Sequence, residues 1–284
     1  MEQTLIRIVR LTYPQAHDVM RKERFASLLA VASRWMTAEK RLRLSRTLLP
    51  AHRDRMLYGE LLLHYTLAEK FGLSAEERRI AYGSKGKPVL AAAALPPVHF
   101  NLSHSGGWIA CAFDRHPVGI DVETVRRDSG KLAPLFLTPD EYYEFARLAC
   151  KGEAAAEAAS SGELTEALSS ERACEFITRR WTLKESIVKA DGAGLSQPLY
   201  KLEPIRLHDG SWSARLGRRN YRISQYRLDN NCWMSVCRSV APVHSLGEAD
   251  SMPPAFPERQ ASESGCVPEQ LGLDTLVKWT MSQL

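Results

Sequence analysis

Residues 181–189 read WTLKESIVK, an aromatic residue followed by a carboxylate between two lysines, with glycines at 192 and 194. This spacing predicts a helix, on which positions four apart are neighbours with Cβ atoms about 5–6 Å apart. Glu185 and Lys189 then share one face, while Leu183 and Ile187 lie on a second face suited to burial. A carboxylate that can hold a divalent cation, beside a lysine that can meet a phosphate oxygen, indicates phosphoryl chemistry.

A second acidic segment, residues 118–123, reads VGIDVE and alternates apolar and acidic side chains. Alternation with a period of two, together with β-branched residues, predicts a strand. Asp121 and Glu123 project to one side, roughly 6–7 Å apart along the chain. Ile120 and Val122 then turn into the core.

These carboxylates match the chemistry of a magnesium site. Mg²⁺ binds through oxygen, commonly through one or two carboxylates with substrate phosphates and water. Asp121, Glu123 and Glu185 are therefore a plausible ligand set for one ion. For either motif alone, the alternative is an acidic strand edge and an ordinary surface ion pair between Glu185 and Lys189.

Residues 101–107, NLSHSGG, lie between a strand-like segment at 98–100 and an apolar run at 108–113. Small, hydroxylated and glycine residues predict a tight loop whose backbone amides approach an anion closely. His104 could donate to a phosphate oxygen, and a structural histidine in a polar turn is the alternative. A hydrolytic pair of Ser103 and His104 is disfavoured, because adjacent side chains point apart and no Gly-x-Ser-x-Gly elbow is present.

Taken together, these stretches resemble the 4'-phosphopantetheinyl transferases, specifically the larger, monomeric type that activates surfactin synthetase. The resemblance covers roughly residues 1–240, and its multi-part signature is far more specific than any one motif. The matching segments are HFNLSHSGGW at 99–108, PVGIDVE at 117–123, FLTPDEY at 136–142 and WTLKESIVKADGAGLS at 181–196.

The resemblance implies a magnesium-dependent enzyme that moves the phosphopantetheine arm of coenzyme A onto a serine of an apo acyl or peptidyl carrier protein. Adenosine 3',5'-bisphosphate is the other product. Asp121, Glu123 and Glu185 match the metal ligands of the family, and His104 and Lys189 match its pyrophosphate contacts. Lys189 would stabilise the leaving phosphate, and Glu185 or a metal-bound water would take the proton of the serine; the identity of this base stays open.

The resemblance also assigns a nucleotide site. Lys40, Arg43 and Arg55 match positions that grip the 3'-phosphate of coenzyme A, although a basic cluster alone usually indicates a solvated face. A short Gly-Lys-Pro segment, which alone would indicate only a turn, matches one that lies along the adenine nucleotide. The implied coenzyme A contacts are Lys40, Arg43, Arg55, Gly86, Lys87, Pro88, Ser103, His104 and Lys189.

The resemblance implies an α+β fold of two similar halves in a pseudo-twofold arrangement, with the active site in the cleft between them. We expect an N-terminal half at 1–115, a C-terminal half at 116–240 with a low-complexity insert near 151–170, and a proline-rich linker and short helix at 241–284. Apolar spacing predicts helices near 15–33, 53–70, 139–150 and 171–190. It predicts strands near 97–102, 107–113, 202–208, 211–216, 220–227 and 231–239.

Composition is ordinary for a globular protein: 284 residues, of which 44% are hydrophobic and 25% charged. The net charge of +5 favours acidic partners, including carrier domains and nucleic acid. No apolar stretch has the length of a membrane span, and the N-terminus reads as a strand rather than a secretory signal. Six cysteines without a Cys-x-x-Cys pair indicate reduced thiols in a cytoplasmic protein, which we expect to be a monomer.

Two other function classes remain as alternatives. A catalytically inactive relative that binds coenzyme A or a carrier is the first, but all three acidic positions and Lys189 are present. A basic nucleic-acid binder is the second, and no recognised module or aromatic-rich basic surface supports it. The sequence leaves open which carrier or pathway is served.

Overall fold

Helices and sheets are mixed along the chain, as the predicted α+β class requires. The structure is a computed structural model that describes residues 4–11, 19–92, 97–127, 129–149, 170–192, 194, 198–240 and 266–283. Its helices are α1 (Val19–Ala32), α2 (Ala38–Arg46), α3 (Pro50–Phe71), α4 (Ala133–Phe136), α5 (Pro139–Ala149), α6 (Glu171–Asp191) and α7 (Leu273–Met281). Its strands are β1 (Leu5–Arg10), β2 (Ile80–Tyr82), β3 (Pro88–Leu90), β4 (His99–Ser105), β5 (Trp108–Asp114), β6 (Val118–Thr124), β7 (Ile205–Arg206), β8 (Trp212–Leu216), β9 (Arg219–Asp229), β10 (Cys232–Val240) and β11 (Glu269–Gln270).

Three strands of the first sheet come from the N-terminal part of the chain and one from its C-terminal part, in the order β11-β1-β5-β4. Strands β1, β5 and β4 pair antiparallel, and β11 joins β1 in parallel. Helix α3 packs on this sheet, because Leu57 and Leu61, one turn apart, meet Ile109 and Phe113 in one buried cluster. Within the described ranges, no helix is long and apolar enough to cross a bilayer.

The second sheet has the order β6-β10-β9-β8-β7 and is antiparallel throughout. Helix α6 covers it, and Leu183 and Ile187 are fully buried against Tyr221 and Ile223, as the helical spacing predicted. The strand predicted at 202–208 was too long. Pro204 has no N–H to donate to a ladder, and only the two residues of β7 pair.

The edges of the two sheets, β4 and β6, meet through side chains rather than a backbone ladder. Backbone N–H groups of β6 donate to side-chain oxygens of β4, which occupy alternate positions and so share one side of that strand. The donor–acceptor pairs are Ile120 N to Asn101 Oδ1 at 2.9 Å, Val122 N to Ser103 Oγ at 3.1 Å and Thr124 N to Ser105 Oγ at 3.2 Å. This seam therefore satisfies an otherwise unpaired sheet edge and fixes the alignment of β6 on β4.

These bonds correct one prediction from the sequence. The segment 101–107 is not a tight loop: β4 continues to Ser105, and only Gly106 and Gly107 form the turn. Gly106 has φ of +56°, a left-handed conformation that suits glycine. The polar residues continue the strand because β6 supplies their hydrogen-bond partners.

The end of the described chain returns to the N-terminal sheet. Strand β11 extends it, and α7 packs on α1 and α3. The Trp279 ring lies 5.3 Å from that of Trp35 and 5.5 Å from that of Tyr65. The predicted insert lies outside the described residues except for Ser170, which caps α6, and the predicted linker at 241–265 lies outside them entirely. The pseudo-twofold relation between the halves stays a prediction.

Helix α6 approaches β6 most closely at Gly119. A Cβ atom on Gly119 would overlap Ser186 O and Ala190 N, and would lie 2.9 Å from Lys189 C. Only glycine permits this approach, because the obstructing atoms are backbone rather than flexible side chains. The close contact brings the side chains of α6 to those of β6.

We predict that Gly119→Ala lowers the free energy of unfolding by roughly 3 kcal/mol, because the added methyl pushes α6 away from β6. Urea denaturation measures the effect. Gly83→Ala is the matched control, since a Cβ there meets its nearest atom, Lys87 O, at an ordinary 3.6 Å. Equal stability of the two variants would contradict the packing argument.

A buried histidine makes the stability of the fold depend on pH. His64 on α3 is 1% exposed, its ring lies 5.3 Å from that of Trp35, and neither ring nitrogen has a hydrogen-bond partner among the described residues. Burial lowers the pKa of His64 to about 4, with Glu60 opposing the shift and Arg78 and Lys40 adding to it. The folded protein thus holds this imidazole neutral.

Because the folded pKa lies below the unfolded value of about 6.5, unfolded chains bind a proton that the native state excludes. We predict that His64 lowers the free energy of unfolding as pH falls from about 6.5 to 4. This loss should reach roughly 3 kcal/mol at pH 4. His64→Phe should remove this contribution, measured as the difference between wild-type and variant unfolding curves across that window. The exposed His208→Ala should keep the wild-type profile, and a pH-independent difference for His64→Phe would refute the prediction.

Candidate active site

A cavity of about 760 Å³ is lined by residues of both halves of the sequence. Its walls come from α2, α3, the β2–β3 hairpin, β4, β6 and the end of α6. Most of the predicted site residues lie in these walls. They are Lys40, Arg43, Arg55, Gly86, Pro88, Ser103, His104, Asp121, Glu123 and Lys189.

The acidic end of the cavity is built around Asp121, which is only 3% exposed. Its Oδ1 accepts from Lys189 Nζ at 2.5 Å and from Ser103 Oγ at 3.0 Å. Its neighbour on the strand, Glu123, accepts at Oε2 from Ser105 Oγ at 2.8 Å. The serines of β4 therefore hold both the backbone and the carboxylates of β6.

The three predicted metal ligands influence one another electrostatically. Burial raises the pKa of Asp121, against the opposing charge of Lys189. Burial, followed by repulsion from Asp121, raises the pKa of Glu123. The same two causes raise the pKa of Glu185, with Lys189 opposing and Glu123 adding to the shift. Negative charge is therefore concentrated where water screens it poorly.

Two carboxylate oxygens in this group, Asp121 Oδ2 and Glu185 Oε1, are buried without a hydrogen-bond partner among the described residues. Among the described residues, no group of three or more acidic, histidine or cysteine side chains is arranged to hold a metal ion. Glu185 is buried and is not among the residues that line the cavity, and Lys189 holds one oxygen of Asp121. The orphaned oxygens and the raised pKa values nevertheless fit a hard divalent cation, which binds carboxylate oxygen and offsets their repulsion.

The basic end lies on α2 and α3. Thr37 caps α2 by accepting from Lys40 N at 3.2 Å, and Lys40 Nζ pairs with Glu60 at 2.6 Å. Arg55 Nη1 donates to Gly106 O at 3.1 Å, and its Nε is buried without a partner among the described residues. These cations face the cavity, unlike the solvated face that a basic cluster alone would suggest. Sequence reasoning missed the buried Glu60.

His104 lies between the two ends. Burial lowers its pKa to about 4, and the nearby charges of Arg55, His52 and Lys40 add to the decrease. The ring of His52 is 5.7 Å away, edge to face. At neutral pH His104 is therefore an uncharged group with one N–H to donate.

Lys87 is placed differently from its neighbours. The cavity wall includes Gly86 and Pro88, whereas the Lys87 ammonium donates to Val118 O, Lys189 O and Ala190 O. Its side chain therefore points to the end of α6 and the start of β6. No local signal could have shown this, because its partners are 31, 102 and 103 positions away.

A smaller cavity of about 150 Å³ lies beside Glu123. Its walls are largely apolar and include Leu132, Phe136, Ile177 and Trp181. Sequence reasoning did not predict it, although Phe136 and Trp181 belong to two of the segments quoted above. The cavity places a largely apolar surface next to the acidic end, with Arg126 also in its wall.

Comparison with known proteins identifies the family of the chain. A sequence model described as the 4'-phosphopantetheinyl transferase superfamily matches residues 117–237, and one described as 4'-phosphopantetheinyl transferase, N-terminal, matches 24–116. The chain is 31% identical over 218 residues to 4'-phosphopantetheinyl transferase Sfp of Bacillus subtilis (strain 168), covering 76% of this chain and 84% of that protein.

More distant relatives are similar over shorter stretches. The 4'-phosphopantetheinyl transferase HetI of Nostoc is 31% identical over 176 residues, or 61% of this chain and 64% of the relative. L-aminoadipate-semialdehyde dehydrogenase-phosphopantetheinyl transferase of Mus musculus is 29% identical over 178 residues, or 61% and 53%. With its acidic strand, lysine-bearing helix and basic cavity wall, the chain belongs to the 4'-phosphopantetheinyl transferase superfamily and, within it, to the Sfp type.

Proposed function

We propose that this protein transfers the 4'-phosphopantetheine group of coenzyme A to a serine of an apo acyl or peptidyl carrier protein and releases adenosine 3',5'-bisphosphate. The observation that carries the proposal is one cavity with two ends of opposite charge. Lys40, Arg43 and Arg55 form one end, and Asp121 with Lys189 forms the other. Coenzyme A has a matching distribution, with a 3'-phosphate on the ribose and a diphosphate leading to the reacting phosphorus.

The basic end suits the 3'-phosphate. Arg55 has a buried Nε free of partners among the described residues, so an incoming phosphate oxygen would satisfy it. Lys40 is already desolvated by its contact with Glu60 and would face the same anion. Gly86 and Pro88 present little side-chain bulk, which lets the nucleotide lie against the hairpin.

The acidic end suits Mg²⁺, which Asp121, Glu123 and Glu185 would hold. When bound, the ion neutralises charge on the diphosphate and on the departing oxygen. The orphaned oxygens of Asp121 and Glu185 are the feature that supports this assignment. Ser103 and Ser105 of β4 orient the two β6 carboxylates that would hold the ion.

Phosphoryl transfer depends mainly on positioning and on stabilising charge. The serine Oγ forms a bond to the phosphorus that carries the pantetheine arm, and the bond from that phosphorus to the bridging oxygen breaks. Lys189, released from Asp121, donates to the leaving phosphate, and His104 donates its N–H to the diphosphate. Glu185, whose Oε1 has no hydrogen-bond partner among the described residues, or a metal-bound water next to it is our candidate to accept the serine proton.

The smaller apolar cavity beside Glu123 suits the uncharged pantetheine arm or the approach of the carrier serine. The net charge of +5 favours acidic carrier domains. We place the reaction in the cytoplasm and assign it to a monomer. An inactive relative that binds coenzyme A is the alternative, but the complete set of Asp121, Glu123, Glu185 and Lys189 argues against it.

Mass spectrometry tests the proposal directly. Several purified apo-carriers are incubated with the protein, coenzyme A and Mg²⁺, and a phosphopantetheine adduct is expected on the carrier serine. Carriers with that serine replaced by alanine, and reactions with chelator, should stay unmodified. Binding of coenzyme A without an adduct on any carrier would favour the inactive alternative.

We predict that Glu185→Gln and Asp121→Asn each lower the turnover number by about 100-fold or more while the melting temperature stays near that of the wild type. Each change removes one of the carboxylates that would hold the ion but keeps the shape of the side chain. Carrier loading measures turnover, and thermal unfolding measures folding. The exposed Glu76→Gln is the control, and full turnover by the Glu185 variant would refute its role.

We predict that the double change Lys40→Ala with Arg43→Ala raises the KM for coenzyme A by roughly 10- to 100-fold with little change in the turnover number, because it removes ground-state binding. The matched ligand is 3'-dephospho-coenzyme A, for which wild type and double variant should be equal. Arg46→Ala, on an exposed position of the same helix, is the control variant. If the double variant also had a higher KM than the wild type for 3'-dephospho-coenzyme A, Lys40 and Arg43 would contact a different part of the substrate.

A further inference from the structure

The Lys87 ammonium is held by three carbonyl oxygens from two different elements. It donates to Val118 O at 3.1 Å, Lys189 O at 2.6 Å and Ala190 O at 3.0 Å. An ammonium has three N–H donors and no acceptor, so these three oxygens use its full capacity. Lys87 therefore has no donor left for a nucleotide phosphate.

Two of these oxygens belong to the end of α6. The last four carbonyls of a helix have no partner within the helix, and those of Lys189 and Ala190 are among them. Gly192 closes the helix by donating to Val188 O. Lys87 satisfies two of the three remaining carbonyls with a cation, the charge that a helix C-terminus favours.

The third oxygen belongs to Val118 at the start of β6, the strand that carries Asp121 and Glu123. Lys87 itself lies in the turn between β2 and β3, where Gly86 and Pro88 line the nucleotide end of the cavity. One side chain thus connects the nucleotide wall, the acidic strand and the helix that carries Lys189. Burial lowers the pKa of Lys87 to about 8, with Cys237 and Asp191 opposing and Arg219 adding to the decrease, which agrees with its removal from water.

We propose that Lys87 is a positioning residue: by capping the end of α6 from the β2–β3 hairpin, it holds Lys189 in register with Asp121 and with the nucleotide wall. The expected effect on turnover rests on the proposed function. The capping of α6 by Lys87 does not depend on that function. Loss of the cap would loosen the last turn of α6 and misplace the Lys189 ammonium. Misplacement of a catalytic group by about 1 Å can cost roughly 100-fold in rate.

The kinetic test compares Lys87→Met with Lys85→Met. Methionine keeps the length and apolar stem of lysine without its charge, and Lys85 is an exposed residue of the same turn. We expect Lys87→Met to lower the turnover number by roughly 10- to 100-fold with less than a threefold change in the KM for coenzyme A, and Lys85→Met to match the wild type. A rise in that KM with unchanged turnover would show that Lys87 only shapes the nucleotide wall, and would overturn the proposal.

Hydrogen exchange separates this proposal from the function it rests on. The backbone amides of residues 187–192 should exchange at least 10-fold faster in Lys87→Met than in Lys85→Met, whether or not the protein loads carriers. Unchanged exchange there would overturn the cap. If Lys87→Met does not fold, Lys87→Arg takes its place. Arginine keeps the charge, but its planar guanidinium cannot converge on three carbonyls as an ammonium does. We therefore expect the amides of residues 187–192 to exchange faster in Lys87→Arg than in the wild type. An exchange rate equal to that of the wild type would contradict the cap.

Discussion

The ion pair between Lys189 and Asp121 is the interaction on which the rest of the site depends. Burial raises the pKa of Asp121, Glu123 and Glu185, and the charge of Asp121 raises the pKa of Glu123 and Glu185 further. Lys189 opposes all three shifts, and at Glu123 Arg126 opposes the shift more strongly than Lys189 does. A group of like charges that water cannot screen persists only if the surrounding fold holds it, and three features do so: the side-chain seam, the close approach at Gly119 and the cap by Lys87.

The seam explains how the acidic strand is held. Ser103 and Ser105 each accept a backbone N–H from β6 and donate their hydroxyl proton to a carboxylate of the same strand. A backbone ladder would have aligned the strands without orienting the acidic side chains. Side chains that do both couple strand register to carboxylate orientation, so the two sheets cannot shift along each other without disturbing the site.

Local pattern was sufficient for part of this arrangement. Period-two alternation predicted that Ile120 and Val122 are buried, and helical spacing predicted the buried face of α6; both are confirmed. The segment 101–107 was predicted wrongly as a loop, because asparagine and serine favour turns unless a distant strand satisfies them. The orientation of Lys87 was equally beyond local reasoning, since all three of its acceptors come from later elements. The site residues carried over by resemblance line one cavity, with the exception of Glu185 and Lys87.

The charged groups that line the cavity also bear on the proposed ligand. A basic surface alone attracts any polyanion, and nucleic acid needs positive charge along the whole track of its backbone. Here a phosphate chain that follows Lys40, Arg43 and Arg55 would reach Asp121 and Glu123, whose charges repel it. Repulsion becomes attraction only when a divalent cation accompanies the phosphate. The cavity is therefore suited to the proposed ligand, coenzyme A, whose diphosphate would bring a divalent cation to Asp121 and Glu123.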